Sequence, residues 1–174
     1  MTTIRILTAA LAVTAAGLAV TIAPADAGGG ALHATATLVD SSGARAGTVR
    51  LVEDADGSLH VNVKVAGLTP GDHGLHIHAV GSCTPTFAAA GGHHNPLGQV
   101  HGAHAGDLPN LRVNSAGRGR LNATTDQATL SDGPASVFDR DGSAVIVHAD
   151  TDDYVTDPTG NSGARVACGV ISRD

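Results

Sequence analysis

Polar and apolar positions alternate strictly along much of the chain. In GSLHVNVKVAG (57–67), Leu59, Val61, Val63 and Val65 point one way while His60, Asn62 and Lys64 point the other. A period of two puts successive side chains on opposite faces of an extended strand, an order no helix keeps. ALHATATLVD (31–40) alternates likewise, with Leu32, Ala34, Ala36 and Leu38 opposing His33, Thr35 and Thr37. The pattern predicts further strands over 46–54, 74–80, 110–114, 119–126, 144–150 and 165–171. Turn signals such as Ser42-Gly43, Asp56-Gly57, Thr69-Pro70-Gly71, Ala116-Gly117 and Asp141-Gly142 fall between them. Eight short strands without a convincing helix predict an all-β fold, an antiparallel sandwich or Greek-key barrel. Two stretches, 81–109 and 150–164, break the rhythm, and loops of that length are uncommon in compact domains unless they carry function.

The N-terminus changes the picture first. MTTIRILTAALAVTAAGLAVTIAPADAGGG has one early cation, Arg5, an apolar run from Ile6 to about Ala23, and small residues at Ala25-Asp26-Ala27. This reads as a signal peptide over 1–27, leaving residues 28–174 as one exported domain with no further membrane segment. Whether the product stays at a cell envelope or diffuses away is open. The net charge is −6, and an acidic chain without a basic patch offers nucleic acid nothing to neutralise its phosphates. Only Phe87, Phe138 and Tyr154 are aromatic and Trp is absent, so the core is built from small aliphatics and needs a staple. In an exported protein the pair Cys83 and Cys168 reads as a disulfide, not a redox catalyst. Chain-entropy reasoning gives a bridge closing such a loop roughly 4–5 kcal/mol at most.

The ten histidines carry the chemistry, seven of them between positions 73 and 104. His33 and His60 lie on outward strand faces and read as solvated. His73 shares the parity of Leu75 and Ile77 and reads as a hydrogen-bonded core histidine. His76 and His78 form H-x-H on a strand, which sets two imidazoles on one face at a spacing suited to one metal ion. His148 is a third ligand only if the fold brings its strand alongside. The loop adds His93, His94, His101, His104 and Asp107, and the last three, at steps of three, suit a compact N,N,O site. Imidazole-only sites suit Cu(II), whereas histidines with one carboxylate suit Zn(II), so the sequence permits two different ions side by side.

With these residues in view, the chain resembles a secreted bacterial copper/zinc superoxide dismutase. GLHIHAVGSC (74–83), AGGHHNP (90–96), HAGDLPNL (104–111), VIVHADTDDY (145–154) and GNSGARVACGVI (160–171) occur in the order that family shows. The resemblance implies an eight-stranded antiparallel Greek-key β-barrel, akin to immunoglobulin-like sandwiches, with two long functional loops. It implies copper held by His76, His78, His93 and His148, and zinc held by His93, His101, His104 and Asp107, with His93 shared as the bridge. It further implies that Asp152 accepts hydrogen bonds from a histidine of each set, that Arg165 lies beside the copper channel, and that Cys83 and Cys168 are the family's disulfide. The activity implied is conversion of superoxide to dioxygen and hydrogen peroxide by alternate reduction and reoxidation of copper, His93 taking a proton between the two halves. Arg165 and the metals would attract the anion locally. The protomer would act as a monomer or a homodimer.

The match departs from the family in two places. Only Gly102 and Ala103 separate His101 from His104, where the family usually has several more residues, which puts zinc binding in question. His94 replaces an aromatic or apolar residue and competes with His93 as bridge, although the register with Asn95-Pro96 favours His93. A copper-only dismutase and a non-catalytic copper-binding domain are the rival readings. A zinc hydrolase would need a carboxylate base beside an open metal position, and no H-E-x-x-H or similar pair is present.

Overall fold

A computed structural model of the protein describes residues 30–174; the predicted signal peptide lies outside them. Its strands are β1 (Leu32–Asp40), β2 (Arg45–Glu53), β3 (Leu59–Ala66), β4 (Gly71–His78), β5 (Asp107–Val113), β6 (Arg118–Thr125), β7 (Ala144–His148), β8 (Arg165–Val170) and the short β9 (Ser172–Arg173). Hydrogen bonding runs β2-β3-β6-β5-β4-β7-β8-β1, with β9 beyond β1, and β1 pairs back onto β2. Eight antiparallel strands thus close on themselves, which removes the exposed edges of an open sheet. The only helical element among the described residues is a 3-10 turn at Phe87–Ala90, and none is long and apolar enough to cross a membrane.

The alternation seen in the sequence fills the barrel. Leu38, Leu51, Leu59, Leu75, Ile77, Leu111 and Leu130 are fully buried, with Val49, Val61, Val63, Val145 and Val147 between them. Each such side chain contributes about 1.5–3 kcal/mol when removed from water. A second, smaller cluster lies outside the barrel wall, where Ala144, Ile146 and Cys168 meet Ala90, Phe87 and Cys83. The Cys83–Cys168 disulfide, Cα–Cα 5.9 Å, pins the loop after β4 onto β8 at that point.

Two strands, β4 and β5, begin three residues earlier than the sequence reading places them, while the other boundaries shift by two residues or fewer. Strand β4 begins at Gly71 because Gly71, Asp72 and His73 already pair with Val113, Arg112 and Leu111. Strand β5 begins at Asp107 because Asp107 and Leu108 pair with His76 and Leu75, which pulls the end of the 81–109 stretch into the sheet. The absence of a basic patch also does not survive folding. Arg50, Lys64, Arg118 and Arg120 are scattered in the sequence yet share the outward side of β2, β3 and β6, since their register partners lie on neighbouring strands.

Candidate metal centre

Strand β4 places the first two histidines. Leu75 and Ile77 face the barrel interior, so His76 and His78 face outward. Strand β7 lies alongside with His76 opposite Ile146 and His78 opposite Ala144. Cross-strand partners share a face, and His148 is two residues beyond Ile146, so its ring joins those of His76 and His78. Sequence spacing alone left that meeting open; the β4–β7 pairing produces it. The outer face is then roofed by residues 79–106 and 149–164, leaving His76 and His78 with no exposed surface and His148 only 2% exposed.

The first loop folds back along the end of β4. His94 donates its backbone N–H to Ile77 O (2.8 Å), Ala79 donates to Gly92 O (2.9 Å), and His78 and His93 form a bridge of backbone pairing. His93 is thereby set beside His78. Candidate ligand atoms of His76, His78, His93 and His148 lie within 4.8 Å of one another, as do those of His93, His101, His104 and Asp107. His93 belongs to both groups. Its Nδ1 faces Asp107 Oδ1 (2.8 Å) and His104 Nδ1 (3.4 Å), while Nε2, at the other end of the ring, is buried without a partner.

The remaining nitrogens are fixed by acceptors, and this decides which lone pairs converge. His78 Nδ1 donates to Gly91 O (2.9 Å) and His148 Nδ1 to Gly163 O (3.2 Å). In the neutral rings both Nε2 atoms then carry lone pairs, and they face each other at 3.3 Å. Two lone pairs at that distance repel unless a cation lies between them. His76 and His101 behave alike on the other side: each donates Nε2–H to one oxygen of Asp152, both at 2.8 Å, and each leaves Nδ1 buried and unpartnered. Orphaned buried nitrogens are rare because they cost about 1–3 kcal/mol each. Neutral imidazoles aimed inward, with a second nitrogen held by a carbonyl or carboxylate, are the donor arrangement metal ions require. The two groups therefore fit the chemistry of copper and zinc ligands.

Burial and charge keep His76, His78 and His148 neutral. Desolvation, helped by the neighbouring His93, pushes His76 down to about 3 against the pull of Asp152. His78 is pushed far down by burial first, opposed by Gly91 and aided by Arg165. His148 falls to about 4, again mainly through burial, with His93 and Arg165 adding to it. For Asp107, burial favours the protonated acid, but His93, His104 and His101 together hold the carboxyl below its ordinary range.

The shortened stretch between His101 and His104 does not separate them. Gly102 adopts φ +85°, and a Cβ there would come 2.4 Å from Tyr154 O, so only glycine permits this tight turn beneath the second loop. Asp107 Oδ2 accepts from the backbone N–H of Gly102 (2.7 Å) and His104 (3.1 Å), which folds the turn around the carboxylate.

Other residues take up different places. His94 is buried but lies outside both groups, its Nε2 3.3 Å from Ala135 O, so it does not compete for the bridge. His73 is a core histidine, its ring nitrogens 2.7 Å from His148 O and 2.8 Å from Thr69 O. His33 is exposed, and His60 binds Asp54 and Thr124 on the barrel surface. Arg165 hydrogen-bonds Phe87 O and Gly91 O, both at 2.5 Å, so the guanidinium ties down the disulfide loop and shares Gly91 O with His78. Asn110 escaped the sequence reading. It accepts from Asp152 N and donates to Asp152 O, both at 2.9 Å, which seats that aspartate between its two histidines.

Residues 45–171 match the model of the copper/zinc superoxide dismutase family. The superoxide dismutase-like protein YojM of Bacillus subtilis is 41% identical over 143 residues, 77% of this chain and 73% of its own length. The Cu-Zn superoxide dismutase 2 of Aquifex aeolicus is 40% identical over 149 residues, 80% of this chain and 86% of its own. A crystal structure of a SOD-like protein from Bacillus subtilis superposes with a TM-score of 0.74 at 39% identity, covering 78% of this chain and 96% of that one. A closed eight-stranded barrel, two histidine groups sharing one ring, and a family match that spans both place this chain in the copper/zinc superoxide dismutase family.

Proposed function

We propose that the protein is a superoxide dismutase that converts two superoxide anions and two protons to dioxygen and hydrogen peroxide. The observation that carries this reading is the convergence of unprotonated imidazole nitrogens, with His78 Nε2 and His148 Nε2 at 3.3 Å and His76 Nδ1 and His93 Nε2 unpartnered. In this reading His76, His78, His93 and His148 would hold copper and His93, His101, His104 and Asp107 would hold zinc. Copper would supply a one-electron couple matched to the two halves of the reaction, and zinc, which has no redox chemistry, would supply fixed charge.

The chain's own groups do the rest. His93 Nε2 has no hydrogen-bond partner in the protein, so when it is not engaged as a ligand its lone pair takes up a proton, which it then gives to the departing peroxide. Asp107 at His93 Nδ1 steadies the ring through that cycle. Asp152, shared by His76 and His101, fixes the tautomers of one ring from each group. Arg165 is the cation next to the copper set, close enough to depress both His78 and His148, and it draws in the anionic substrate. Residues 1–27 serve as the signal peptide of an exported enzyme whose mature part is 28–174, a route consistent with the Cys83–Cys168 disulfide.

Metal analysis of purified protein with a superoxide-consumption assay tests the reading. One copper and one zinc per chain with rapid turnover are the expected result. His148→Ala should abolish turnover, and Arg165→Glu should slow it at unchanged copper content. Turnover with copper alone selects a copper-only dismutase. Copper bound without turnover overturns the enzyme and leaves a copper-binding domain.

A further inference from the structure

The barrel wall opposite the metal centre carries a feature that dismutation does not use. The metal histidines sit on β4 and β7, whereas β2 and β3 lie across the barrel in the strand order. On the outward side of this far wall, the register lines up Thr37, Thr48, Lys64 and Arg120 in one row and Thr35, Arg50, Asn62 and Asn122 in the next. Arg118 follows opposite Ala66. Arg45, Arg50, Lys64, Arg118 and Arg120 are all exposed, five of the nine Lys and Arg among the described residues. No Asp or Glu shares these rows. The Lys and Arg ion pairs among the described residues are instead Arg112–Asp72 and Arg173–Asp132.

This concentration is costly as it stands. Lys64 and Arg120 are directly opposite across adjacent strands, and like charges so placed destabilise a sheet. A chain of net charge −6 would lower its self-repulsion by dispersing its few cations among its acids. Thr48, Arg50, Asn62 and Lys64 line a depression of about 470 Å³, and Arg45, Thr48 and Lys64 border a neighbouring one of about 250 Å³. The surface is therefore a donor-rich trough between the strands, with Lys64 and Arg120 on adjacent strands of one row, about 5 Å apart at the backbone, and Arg50 in the next row.

We propose that this wall binds a linear polymer of phosphate groups. Four of its five cations are arginines, whose planar forks match phosphate oxygens bidentately, and threonine hydroxyls and asparagine amides add neutral donors between them. The rows hold no aromatic ring on which nucleic-acid bases would stack, and no large apolar side chain to enter a lipid bilayer. Bound there, the polymer leaves the metal face open.

The test titrates metal-loaded protein into labelled long-chain inorganic polyphosphate at low ionic strength, reading fluorescence anisotropy. Binding should saturate, weaken steeply with added salt, and fall about tenfold or more in the Arg50→Ala/Lys64→Ala/Arg120→Ala variant. Lys64→Ala alone, less of a burden on folding, should weaken it about threefold, and Arg140→Ala, a cation outside these rows, should leave it unchanged. The proposal is overturned if the triple variant, with its native circular dichroism, binds like the parent. It is equally overturned if Arg140→Ala weakens binding as much as Lys64→Ala, or if heparin, single-stranded DNA or phosphatidylglycerol vesicles bind more tightly at equal charge concentration.

Discussion

Every imidazole of the two groups has one nitrogen directed at the centre, and most have the other engaged by an acceptor. Asp152 serves two of them, one oxygen to His76 and the other to His101. Asp152→Asn keeps the shape but leaves a single acceptor oxygen facing two N–H groups, so one ring loses its partner or turns a proton toward the metal. Metal affinity should drop about 10- to 100-fold, read by competition with a chelator, while circular dichroism stays that of the intact barrel. Unchanged affinity would reduce Asp152 to a packing role. Much of this chemistry was readable beforehand: H-x-H at His76 and His78 and the three-step spacing of His101, His104 and Asp107 carry their own signal. Gly91 O, Gly163 O and Asn110 were not, because a backbone acceptor has no residue-type signature and an asparagine at a polar position of a strand looks merely solvated.

Strands announced themselves through alternation, but their ends did not. Where β4 and β5 begin is decided by the partner strand across the ladder, which no local pattern encodes. The loops depended on contacts more distant still. A Cβ on Gly160, at φ +60°, would fall 1.8 Å from Asp152 Oδ1, so the second loop reaches the centre only through a bare backbone. A third loop, residues 126–143, is held from beneath by Glu53 at the end of β2. Its carboxylate accepts from the backbone N–H groups of Leu130 and Ser131 and from Ser131 Oγ, yet the residue is only 6% exposed. Glu53→Ala would strand three donors next to the fully buried Leu130. A loss of about 2–4 kcal/mol in urea unfolding should follow, with metal content preserved because β2 lies across the barrel from β4. A loss below about 0.5 kcal/mol would mean that water or a neighbour takes over the clamp.

Barrel closure couples the metal centre to the stability of the entire molecule, since His76, His78 and His148 sit on the β4–β7 pair that completes the wall. Without metal these rings are buried neutral groups, and their acid behaviour follows from that. In the unfolded chain each takes a proton near its ordinary value of 6.5, whereas in the folded chain His148 does so only at about 4 and His76 at about 3. Between those limits the unfolded state binds more protons, so their stabilisation is complete above 6.5 and drains away as the pH falls. Asp107 and Asp152 are also held below their ordinary value of 3.8; they act in the same direction but only at more acid pH, which leaves the upper window to the histidines. The thermal midpoint of metal-free protein should therefore fall by at least about 5 °C between pH 7 and pH 4.5. Metal-loaded protein should keep its midpoint across that range until the ions dissociate, because a coordinated nitrogen has no lone pair for a proton. A flat profile for the metal-free protein would mean that the rings titrate as in water and that the loops over β4 and β7 open before the barrel does.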